Sequence, residues 1–209
     1  MSHLANLLVF GGVWTVIVIS PGPDLMVTMR LAVRRSRAAA LAAVLGIAMG
    51  TAIWASAAAT GLAFLLAQER WLTQGIRWCG AAYLLVLAVQ AVRHAGAPLA
   101  FAQGAGDPSP GPGLVAAWRT GLFADLSNPK AAIFWSSLFA TSFPQGTPSW
   151  TLATAVVLAV LIAGGWYMTA ALLLSIGPVL RLYERVKRWV DYATGGILTA
   201  LAARLATTG

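Results

Sequence analysis

Four ionisable residues stand in apolar stretches of this chain where a charge is expensive: Asp24, Arg77, Asp125 and Lys130. Two of them adjoin prolines. Asp24 ends the run Ser20-Pro21-Gly22-Pro23-Asp24, and Lys130 ends Ser127-Asn128-Pro129-Lys130. Proline lacks an N–H and clashes with the carbonyl four residues earlier, so a helix stops and restarts there. It suits the first position of the restarted helix, with a cap before it: Asn128 fits that rule closely and Gly22 loosely. A restarted helix presents unpaired N–H groups and a positive dipole end, which together make a site for a carboxylate. Asp125, four residues before Pro129, could carry a proton, meet an ammonium or cap the break through backbone N–H groups. Arg77 stands near enough to a span end to snorkel to the interface.

The spacing of the two breaks predicts how they are positioned. Pro23 and Pro129 are 106 residues apart in a chain of 209. Each half then holds three spans, the first of them broken. Because three is odd, the second half inserts upside down, the inverted-repeat pattern of secondary transporters. The same offset makes Asp24 and Lys130 equivalent positions and predicts an ion pair between them near the pseudo-twofold axis.

The elements that carry these breaks are membrane spans. Hydrophobic residues make up 59% of the chain and charged ones 10%, against roughly 25% charged in soluble domains, and the mean hydropathy is +0.77. A span needs about 20 apolar residues. Six are expected: Leu4–Met29, Ala38–Leu66, Trp71–Val92, Leu114–Phe143, Trp150–Ser175 and Trp189–Leu205. The expected fold is thus an all-α integral membrane protein with six transmembrane helices as 3+3 inverted repeats and broken first and fourth helices. Its parts are a first repeat over 1–93, a flexible Pro- and Gly-rich loop over 94–113, and a second repeat over 114–209. The loops after spans one, three and five hold 10 of the 14 basic residues, among them Arg35, Arg93, Arg119, Arg181 and Lys187. The positive-inside rule puts those loops in the cytoplasm and both termini outside it. Trp71, Trp150 and Trp189 are expected in the interfacial belt and Asp191 at the interface. No basic leader or cleavage pattern precedes the first span, which argues against a removed signal peptide.

Other chemistries find little support. The net charge of +8 is spread in short clusters that suit anionic lipid, not nucleic acid. Cys79 is single and reads as an inert structural thiol. His3 and His94 have no partner at metal-ligand spacing, so no metal site and no cofactor is expected. No span pairs a Ser with a His or offers a metal cluster, which argues against an enzyme. Ala42, Gly46 and Gly50 recur every four residues as a helix-packing face. The residue pattern leaves two transported classes open: a small amino compound, or a small cation held by the aspartates.

The same residues carry a resemblance. Ser20 to Asp24, the arginine cluster ending at Arg37 and Leu45-Gly46-Ile47-Ala48-Met49-Gly50 resemble the N-terminal signature of the LysE/RhtB amino-acid exporters. Gly121-Leu122-Phe123-Ala124-Asp125-Leu126-Ser127-Asn128-Pro129-Lys130-Ala131 is similar to that family's fourth-helix motif. The likeness extends to the closing helix with Gly195, Gly196 and Arg204. It implies export of amino acids or related metabolites from a bacterial cytoplasm, across the inner membrane and driven by protons. The substrate-path residues it suggests are Pro21, Gly22, Pro23, Asp24, Asp125, Asn128, Pro129 and Lys130. The carboxylate would meet the restarted helix ends and Lys130, and Asp24 or Asp125 would take the ammonium or the coupling proton. The expected partners are a small-molecule substrate, membrane lipid and a second copy in a homodimer. Asp125 departs from the family, whose members usually carry Asn there.

Overall fold

The computed structural model describes residues 3–66, 70–97, 113–144, 146–174 and 177–207, and no strand occurs among them. The side chains of Arg77, Pro129 and Lys130 lie outside that description, as do the residues of the connecting loop from 98 to 112. The helices are α1 (His3–Ile19), α2 (Pro23–Arg34), α3 (Arg37–Leu66), α4 (Arg70–Arg93), α5 (Leu114–Leu126), α6 (Pro129–Ser142), α7 (Ser149–Thr169) with a π-helical continuation (Ala170–Leu174), and α8 (Gly177–Thr207).

Both breaks fall at the prolines. α1 stops at Ile19 and α2 restarts with Pro23 in its first turn, bent by 52°. Gly22 is extended, with φ −138° and ψ −177°, and its carbonyl already accepts from Met26 N–H at 3.0 Å. α5 stops at Leu126, where Ser127 N–H reaches the Phe123 carbonyl at 2.8 Å, and α6 restarts at Pro129.

Among the described residues two helices are long and apolar enough to cross a bilayer alone, Arg37–Gly61 and Ser149–Leu173, and the bent pair α1–α2 makes a third if it is one span. Their outward faces are apolar too: Leu8, Leu45, Val157 and Leu161 are all exposed. Large apolar side chains on both the inner and outer faces are what lipid as solvent permits.

Small residues bring α3 and α5 together. A Cβ on Gly46 would collide with the Trp118 carbonyl, and one on Gly121 with the Ala43 carbonyl. The packing face predicted on this helix is there, but its register runs through Ala43, Gly46 and Gly50; Ala42 is only partly buried. α4 packs along α8, and α7 lies against α1 and α3. On α7 the buried line Thr151, Ala155, Ala159, Ala163 and Tyr167 recurs every fourth residue. Between α1 and α6 the space is filled by rings, with Trp14 and Trp135 centroids 4.4 Å apart and Phe10 and Phe139 5.2 Å apart.

Three expectations need correction. The sixth span does not begin at Trp189: α8 runs for 31 residues from Gly177, about 46 Å at 1.5 Å per residue. The basic stretch expected as a loop is its first half, because Tyr183 and Lys187 find buried partners on one face while Arg181 and Arg185 stay exposed. Trp189 therefore lies well inside a helix, exposed beside Arg188. Asp191 is not interfacial but buried. Cys79, expected to be structural, is exposed and not packed in the core.

The basic residues still predict sidedness. In a Cys79→Ser background, Arg35→Cys and Arg185→Cys are expected to react with an impermeant maleimide only after intact cells are permeabilised. Fast labelling of either in intact cells would reverse the orientation.

Candidate functional site

A cavity of about 520 Å³ opens where the two breaks meet, within the usual size range for small-ligand sites. Six of the eight expected path residues line it: Pro21, Gly22, Pro23, Asp24, Asp125 and Asn128. The side chains of Pro129 and Lys130 lie outside the described residues. Trp14, Phe134, Trp135 and Tyr167 supply aromatic walls.

The first half-helix of each broken pair ends in carbonyls without intrahelical donors, and in each case an aromatic side chain from elsewhere supplies one. Tyr183 on α8 donates its hydroxyl to the Ile19 carbonyl at 2.8 Å. Trp54 on α3 donates its indole N–H to the Asp125 carbonyl at 3.3 Å. Neither donor was legible as functional in the sequence, since each lies far along the chain from the break it serves.

Asp24 opens α2, where a carboxylate complements the helix dipole. Among the described side chains, that of Asp125 stands beside it. Lys130, which repeat arithmetic pairs with Asp24, has its side chain outside the described residues. Asp125 is 5% exposed and rests on bare backbone at Gly50, where a Cβ would displace it. Asp24 Oδ1 and Asp125 Oδ2 are buried with no hydrogen-bond partner among the described residues. Two neighbouring buried carboxyl groups, each with an oxygen unpaired among the described residues, form a place for a proton or a cationic N–H group.

α8 adds a polar stripe at successive turns. Lys187 Nζ donates to Asp191 Oδ2 at 2.7 Å and to the His94 carbonyl at 3.1 Å. Ser20 donates to Asp191 Oδ1 at 3.0 Å. Lys187, Asp191 and Thr194 all line the cavity. The i, i+4 spacing of Lys187 and Asp191 was the available sequence signal, masked by the surrounding basic residues. Among the described residues no group of three or more His, Cys, Asp or Glu side chains is placed to hold a metal.

The chain is similar to the threonine efflux protein of Escherichia coli K12, 30% identical over 196 residues that cover 91% of this chain and 92% of that protein. The threonine efflux protein of Salmonella typhi is 31% identical with the same coverage. The uncharacterized membrane protein YahN of Escherichia coli K12 is 31% identical over 199 residues, 95% of this chain and 87% of its own length. No solved structure matches the chain at a significant level. The model of the LysE type translocators matches residues 15–209, both breaks included. The chain thus belongs to the LysE-type translocator family, and it is a membrane transporter, not an enzyme.

Proposed function

We propose that the protein exports amino acids or closely related amino compounds from the bacterial cytoplasm in exchange for protons. The observation that carries this reading is the convergence of both proline breaks on one cavity, with Asp24 and Asp125 side by side in its wall. Similarity to threonine efflux proteins supports an amino-acid cargo. Six spans in two inverted repeats fit the packing: α3 lies on α5 as α7 lies on α1, while α3 meets α7 and α4 meets α8. A pseudo-twofold axis between the repeats would relate these pairs in that way. The bilayer is then the inner membrane, with both termini on its outer side.

Exchange follows from the shared site. Two ionised carboxylates side by side repel, so the pair holds either a proton or a substrate ammonium, and one displaces the other. Alternating access by rocking of one repeat on the other presents the site to each side in turn.

Inverted membrane vesicles loaded with protein test the reading. With an imposed proton gradient, labelled amino acids offered outside are expected to accumulate inside, and collapsing the gradient should abolish accumulation. Absence of any amino-acid uptake, with gradient-driven uptake of an inorganic cation instead, would replace it with the small-cation reading, for which the facing aspartates are the ligands.

A further inference from the structure

Two features of α8 are unused by the exchange just described. Thr194 is 4% exposed, lines the cavity, and its hydroxyl has no hydrogen-bond partner among the described residues. Lys187 is 5% exposed and lines the same cavity. Its ammonium carries three donors, of which the bonds to Asp191 and the His94 carbonyl use two. Residues 187, 191 and 194 recur at helical spacing, so all three share one face of α8.

An unpaired buried hydroxyl is costly, and the ammonium of a lysine one donor short reaches Asp191, about one turn from Thr194 on the same wall. A donor pair of this kind, one charged and one neutral, matches a carboxylate with its two acceptor oxygens. We propose that Lys187 and Thr194 receive the carboxylate of the transported amino acid, while Asp24 and Asp125 take its ammonium; this rests on the amino-acid export reading above.

The assignment has a consequence for movement. Lys187 and Asp191 hold the first break, through Ser20, and the end of α4, through the His94 carbonyl. α8 packs broadly along α4 but touches α1 at few places. A substrate carboxylate that shares the Lys187 ammonium weakens its hold on Asp191, the acceptor of Ser20, while Tyr183 keeps its bond to the Ile19 carbonyl and the α4–α8 pair stays intact.

Purified protein titrated with threonine and with threoninol, which keeps the amine and side chain but lacks the carboxylate, tests this. Wild type is expected to prefer threonine. Thr194→Val, nearly isosteric, should weaken threonine binding about tenfold and leave threoninol within twofold, and Lys187→Gln should do the same or more. If Thr194→Val leaves the preference for threonine unchanged, or if both ligands lose affinity equally, the carboxylate assignment is wrong while amino-acid binding stands. If wild type binds none of the twenty amino acids titrated in the same way, the cargo reading fails and takes the assignment with it; if another binds, its own amino alcohol replaces threoninol in the comparison.

Discussion

Asp125→Asn is expected to abolish uphill accumulation of substrate while leaving downhill exchange across the membrane. The carboxyl of Asp125 stands beside that of Asp24, and each presents a buried oxygen without a donor among the described residues. Two unit charges about 4 Å apart interact by roughly 4 kcal/mol at an effective dielectric of 20, enough to make a proton or an ammonium an obligatory companion. Asn replaces one oxygen by an amide NH₂ of nearly the same shape. That group donates to Asp24 permanently and imitates the protonated pair. Substrate can still bind to the remaining carboxylate, but its arrival no longer releases a proton, so the gradient no longer does work on it. A residue that only closed the helix break would tolerate Asn, because Asn also accepts a bond from backbone N–H. The measurement is accumulation in inverted vesicles against counterflow in the same vesicles. Equal gradient-driven accumulation by wild type and variant at matched expression would remove Asp125 from coupling.

Gly121→Leu is expected to prevent stable folding, and even Gly121→Ala should cost at least about 3 kcal/mol, the upper range for overpacked sites. The reason is that a Cβ at 121 would meet backbone atoms of Ala43, which cannot rotate aside as a side chain can. α3 and α5 would have to separate, and Asp125, one turn further along α5, would leave its seat on Gly50. The loss would therefore reach the site as well as the fold. Gly164→Ala and Gly165→Ala on α7 are the controls, since a Cβ there has nothing within 4 Å. Thermal unfolding in detergent should separate the two sets clearly. Unfolding of Gly121→Ala at the wild-type temperature would show that the two helices do not depend on this contact.

Local chemistry made a good part of the protein legible in its sequence. Proline lacks an N–H wherever it stands, so Pro23 and Pro129 each open a new helix, as their positions predicted. Charge scarcity forces lipid as the solvent, and apolar composition is independent of how helices are arranged. The family, too, was carried by contiguous motifs. The tertiary structure decided what touches what. Ser20 and Asp191 are 171 residues apart, and no period or motif links them; only the packing of α8 against α4 and the first break turns an apparent interfacial acid into a buried anchor. The register of the small-residue face shifted from Ala42 to Ala43, because a run of alanines offers several equivalent faces and only the partner helix chooses among them. Asp24 and Asp125 are neighbours for the same reason: they stand 101 residues apart, and only where the two half-helices end in space brings them to one cavity.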